Sequence, residues 1–245
     1  MKRIEGLRGQ VLSEYRGNAV LLMRVRGSGA AIRSLLEMPD IAEINVPPTP
    51  DLQPLDVAGF NVENIGEVGV PADAAAAIGV VDSGVTTAHP LLDSAHIEAF
   101  GAPANLGDDD QKKHGTPVSG IAVYGDLREQ IDNGRFEAVF PIASAKVVDQ
   151  AGAFDDTKLV PAQMDEAIRR LHGEFNCRII NVSLADKGRL ANAKRSPWAA
   201  VLDELARELD LVIVVTAGNS DRDLVDRLGD GSWVLTQTTS LIRPT

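Results

Sequence analysis

Cysteine is almost absent from this 245-residue chain: Cys177 stands alone, so no internal disulfide framework can form, and its expected role is packing. Aromatic residues are scarce at 4%, and 24 Lys plus Arg face 35 Asp plus Glu, a formal net charge of −11. A chain so poor in stacking rings and surplus cations lacks both footholds of a dedicated nucleic-acid binder. Long apolar runs are missing too. The segment Ala19 to Met23 falls far short of the roughly 20 residues that span a bilayer. Glu5, Arg8, Gln10 and Glu14 interrupt any apolar stretch of the kind a secretory signal needs. These absences predict a cytoplasmic protein with neither membrane nor nucleic acid as partner. No Gly-x-Gly-x-x-Gly or Walker-type loop follows any apolar run, which argues against a nucleotide site.

What is present is enough for a substantial core, with 44% hydrophobic and 24% charged residues. Residues 18–26 read as a strand, 29–38 as a short helix and 41–46 as a second strand, a small β-α-β element over residues 1–46. Pro47, Pro48, Pro50 and Pro54 then stiffen the chain into extended geometry that neither helix nor sheet absorbs, marking a linker and lead-in over 47–76. From 77 to 245, apolar runs alternate with helical patterns, the rhythm of parallel β-α-β crossovers. Strands are predicted at 77–82, 138–148, 178–184 and 211–217, apolar on both faces as strands covered on both sides must be. Helices are predicted at 161–172, with Met164, Ala167, Ile168 and Leu171 on one stripe, and at 197–209 behind the cap Ser196. The fold class is thus α/β, a three-layer parallel sheet with helices on both faces.

In such a sheet chemistry gathers outside the carboxyl ends of the strands. Four segments fall there: Asp82-Ser83-Gly84, His114-Gly115-Thr116 opening a helix of small residues, Asn181-Val182-Ser183-Leu184-Ala185, and Thr216-Ala217-Gly218-Asn219. Each alone has a bland reading, as a cap, a surface histidine, a strand end or a turn. Together and in this order they resemble the subtilisin family of serine peptidases, as does the spacing of 32 residues from Asp82 to His114. Phe140 to Asp149, followed by Gly152, is similar to the family's next strand, and the likeness spans about residues 77 to 220.

The resemblance implies a division of labour. His114 is expected as general base, Asp82 as the carboxylate that orients it, and Asn219 as donor to the oxyanion. Ser183, Leu184 and Ala185 are expected to pair with an extended peptide substrate through their backbone. Peptide or protein is the implied partner, and no cofactor is expected. Calcium occurs in the family, but its ligands cannot be carried over to this sequence.

Three positions depart from the family pattern. Ala185 stands where glycine is commonest, Pro117 sits in the first turn of the histidine helix, and the serine motif Gly-Thr-Ser-x-Ala-x-Pro does not occur. Thr239-Ser240 with Pro244 imitates part of that motif, but Thr238 replaces its leading glycine and Ile242 its alanine. Ser240 is therefore a poor nucleophile candidate, and the chain reads as a subtilisin-like domain cut before its serine segment, inactive as it stands. The N-terminal element, with Leu35, Leu36 and Pro39, resembles the second half of the family's inhibitory propeptide; the alternative reading is an N-terminal extension packed on the core. The competing readings are a peptide- or protein-binding scaffold without catalysis, a dehalogenase-type phosphatase, which Gly84 disfavours where a second acid is needed, and a metal site of His89, His96, His114 and the Asp108 to Asp110 run, whose spacing fits no ligand set. The run Asp108-Asp109-Asp110 reads as a solvated loop.

Overall fold

A computed structural model describes residues 9–17, 20–50, 65–66, 68–186, 196–216 and 240–242. Five strands form a parallel sheet: β4 (Ile78–Asp82), β5 (His96–Gly101), β7 (Ile142–Lys146), β8 (Ile179–Val182) and β9 (Val212–Val215). A sixth, β10 (Ser240–Ile242), joins β9 antiparallel, and the order across the sheet is β10-β9-β8-β4-β7-β5. The chain leaves β4 toward one side for β5 and β7, then crosses to the other side for β8 and β9. The strand order therefore reverses at β4, and a crevice opens outside its carboxyl end.

Helices cover both faces because alternate strand residues point to opposite sides. Val81, Ala143, Ala145, Ile180, Val182 and Ile213 pack with α4 (Val160–Phe175) and α5 (Pro197–Glu208). Val80 and Ile142 instead pack with the end of α2 (Gly115–Tyr124), joined by Phe136 of β6 (Phe136–Glu137). Pro161 opens α4 where its missing N–H costs nothing, and Met164, Ala167, Ile168 and Leu171 are fully buried. Asn176 ends the helix in the left-handed conformation at φ 53°. Ser196 caps α5, its Oγ accepting the Ala199 N–H at 3.0 Å. Leu171→Ala is expected to cost about 2–5 kcal/mol, read as a fall in the denaturation midpoint, since the side chain is fully buried in the apolar cluster beneath the helices.

The N-terminal element is β-β-α rather than the β-α-β of the sequence reading. The strands β1 (Gln10–Arg16) and β2 (Leu21–Arg26) form an antiparallel hairpin, followed by α1 (Gly29–Leu36). Residues 41–46 carry no strand, because β1 already takes an edge of β2 and Pro47 and Pro48 follow with no N–H to donate. The hairpin packs on the sheet domain: Arg24 donates to the Asp155 and Lys158 carbonyls at 3.3 and 2.8 Å, and Tyr15 Oη donates to Asp165 Oδ1 on α4 at 3.5 Å. Burial and the acids Asp165 and Glu204 push the Tyr15 phenol up to about 12. Of the lead-in, β3 (Val68–Gly69) pairs in parallel with β6. The predicted strand 138–148 is trimmed to β7, because Val139 and Phe140 turn back to bond the Val123 carbonyl at the end of α2. Between α2 and β6 lies the short α3 (Leu127–Asn133).

Candidate active site

Asp82 ends β4 and is wholly buried. His114 precedes α2 and is 8% exposed. Their side chains meet: His114 Nδ1 lies 2.7 Å from Asp82 Oδ1, which also accepts the Ser83 N–H at 2.7 Å. With the carboxylate ionised, Nδ1 carries the proton and Nε2 is left as the basic nitrogen. Burial raises the Asp82 carboxyl, while its hydrogen bond to His114 works the other way. That same hydrogen bond lifts the imidazole above its ordinary value, against desolvation. A buried pair of this kind can hold a proton at one nitrogen and take up another at the opposite one.

The helix start and strand end touch because two glycines let them. A Cβ on Gly115 would lie 2.1 Å from the Gly84 carbonyl oxygen. Gly84 has φ +104°, and a side chain there would strike the Asp108 carbonyl at 2.4 Å. The loop of Asp108 to Lys113 thus lies directly over the end of β4. This corrects the solvated-loop reading in one respect: Asp108 and Asp109 are exposed, but Asp110 is only 6% exposed and turned inward. It accepts from Ser83 Oγ, His114 N and Thr116 N. Its position just ahead of a helix was the available signal, since acids there cap free N–H groups.

Of the other expected residues, Ser183 to Ala185 follow the end of a strand that neighbours β4. The β8 ladder ends at Val182, and Ser183 to Ala185 run on beyond it. Leu184 is buried among the residues beneath α4 and α5, whereas Ser183 and Ala185 are half-buried. Among the described residues, none of the backbone hydrogen bonds outside helices and strands falls on these three. Just past them the chain's own linker arrives: Thr49 N–H donates to Asp186 Oδ1 at 3.2 Å, and Pro50 bridges Asp186 in antiparallel sense. Asn219 lies outside the described residues. Ser240 sits in β10 opposite Val215, which is level with Val182 and Val81. Three strand spacings, about 14 Å, therefore separate its backbone from β4. Among the described residues no three His, Cys, Asp or Glu side chains gather to hold a metal, and no helix is long and apolar enough to cross a membrane.

An α/β sheet with a buried carboxylate–imidazole pair at its switch point sets the class of the fold. Residues 73–239 match the subtilase family, and the chain belongs to it. Among curated proteins it resembles the uncharacterized protein y4bN of Sinorhizobium fredii, 57% identical over 61 residues, covering 24% of this chain and 14% of that one. It also resembles y4kK of the same organism, 29% identical over 93 residues, covering 38% and 30%. Among solved structures it is similar to the epidermin leader peptide processing serine protease of Staphylococcus aureus, with TM-score 0.49 and 14% identity, over 94% of this chain and 61% of that one. The chain thus spans less than two thirds of each.

Proposed function

We propose that these residues form the acid–base half of a serine endopeptidase that cleaves extended peptide or protein substrates. The observation that carries the reading is the 2.7 Å bond between Asp82 and His114, buried at the switch point of a subtilase domain. His114 Nε2 takes the proton of a serine hydroxyl as its oxygen bonds to the scissile carbonyl carbon, and hands that proton to the amine as the C–N bond breaks. Asp82 fixes the tautomer and stabilises the imidazolium. Asn219 donates its side-chain amide to the oxyanion, an interaction worth about 3 kcal/mol in the transition state, a magnitude measured in subtilisin itself. Ser183 to Ala185 bind the substrate backbone as an added strand.

The register of Ser240, three strands from β4, speaks against it as nucleophile. The N-terminal hairpin and helix act as a propeptide-like cover, a reading supported by the contact of the hairpin's Tyr15 with Asp165 on α4 and by the Pro50–Asp186 bridge beside the substrate segment. The same register favours a second reading, a scaffold that binds extended peptide without cutting it.

A fluorophosphonate probe separates the two. The 245-residue chain is expected to remain unlabelled, while a polypeptide that continues into Gly-Thr-Ser-x-Ala-x-Pro is labelled at that serine. Labelling at Ser240 overturns the inactive reading of the chain. An unlabelled longer polypeptide that still binds peptide establishes the scaffold.

A further inference from the structure

Asp110 is a buried carboxylate that the proposed mechanism leaves without a task. Its Oδ1 accepts the Ser83 hydroxyl at 2.7 Å and the His114 backbone N–H at 3.4 Å, and its Oδ2 accepts the Thr116 N–H at 2.8 Å. Ser83 Oγ in turn accepts the Gly115 N–H at 3.0 Å. Ser83 directly follows Asp82, and Gly115 directly follows His114. One carboxylate thus ties the strand end that carries the acid to the helix start that carries the imidazole, by a route that bypasses the Asp82–His114 bond. Lys146, at the end of β7 and level with Asp82, pins this loop from beneath: its Nζ donates to the Asp109 carbonyl at 2.6 Å and to Gln111 Oε1 at 3.4 Å.

We propose that Asp110 is a positioning residue, locking the first turn of α2 to the end of β4 so that His114 meets Asp82 in a single geometry, with its charge favouring the imidazolium. The proposal rests on the reading of Asp82 and His114 as a working pair and deepens it. An ordinary helix cap uses one oxygen and is served almost as well by asparagine. Here both oxygens are engaged, so an asparagine amide would face either the Thr116 N–H or the Ser83 hydroxyl with a donor and leave a buried group unpaired. The charged groups on the elements packed around the imidazole are Asp82 of β4, Asp108, Asp109, Asp110, Lys112 and Lys113 of its own loop, and Lys146 of β7, whose ammonium is committed to the Asp109 carbonyl and Gln111. Both carboxylates, Asp82 and Asp110, act on His114 to favour its charged form.

The test is proton NMR of His114 in the folded 245-residue chain, which needs no nucleophile. The wild type is expected to give a low-field Nδ1 proton resonance and an imidazole midpoint above the ordinary value. Asp110→Asn is expected to lower that midpoint and to speed exchange of the Nδ1 proton by about tenfold. Ser83→Ala removes the tether but keeps both charges, so it is expected to speed exchange while the midpoint stays raised. A folded Asp110→Asn protein with wild-type resonance, exchange and midpoint reduces Asp110 to a cap and overturns the proposal. Should that variant fail to fold, unchanged exchange in Ser83→Ala overturns it instead. Asp82→Asn separates the levels: it should abolish the resonance, and survival of the signal sinks the pair itself, with the positioning role resting on it. A normal Asp82→Asn result beside a silent Asp110→Asn sinks the positioning role alone.

Discussion

Replacing His114 with alanine in a polypeptide that carries the nucleophilic serine is expected to cut kcat by about a million-fold, the size found when the histidine of subtilisin is removed. The reason lies in the geometry of the pair. Asp82 is wholly buried and bonds Nδ1, so the proton is handled by the opposite nitrogen of this one ring. Because the proposed substrate segment, Ser183 to Ala185, follows β8 and not β4 or α2, substrate binding should survive and KM should move little. Asp82→Asn is expected to cost about ten-thousand-fold, since an amide that donates to Nδ1 selects the wrong tautomer. Steady-state cleavage of an extended peptide reads both. Loss of less than tenfold for His114→Ala would remove the imidazole from the mechanism.

The second large effect concerns a single methyl group. Gly115→Ala is expected to destabilise the protein by about 1–3 kcal/mol or more and to part His114 from Asp82. Its Cβ would lie 2.1 Å from the Gly84 carbonyl and 3.2 Å from Asp82 Cβ, and the first of these is backbone that cannot swing aside. The matched comparison is Gly120→Ala on the same helix, where nothing lies within 4 Å of the added atom. There the better helix propensity of alanine should stabilise by about 0.5–1 kcal/mol. Opposite signs for two identical substitutions, five residues apart, would be read from their denaturant midpoints. Equal signs would mean that the helix does not press on β4.

The sheet and its covering helices were legible because their chemistry is local and repetitive. Val80 and Val81, or Ile142 and Ala143, are apolar on successive residues, which only a strand buried on both faces tolerates, and Pro161 and Ser196 mark helix starts. The Asp82–His114 pairing was legible from motif order, and the bond is present. What escaped was set by tertiary context. Strand β1 mixes Ser13, Glu14 and Arg16 with few apolar residues and exists because β2 offers it an edge. Strand β5 begins with His96 and Glu98 and carries a bulge between them, so no period of two is visible. Asp110 looked like the third member of a solvated acidic run, and only the fold of the loop over Gly84 turns it inward.

The bulge in β5 has a consequence beyond its own pairing. Parallel sheets that end in a long, flat strand invite another molecule to add itself by main-chain bonding, the first step toward fibrous deposits. Among the described residues the outermost strand on that side is kinked by an extra residue and holds Glu98 toward solvent, so an incoming copy would meet a twisted border and a negative charge. The irregularity guards the molecule against polymerising through its own backbone.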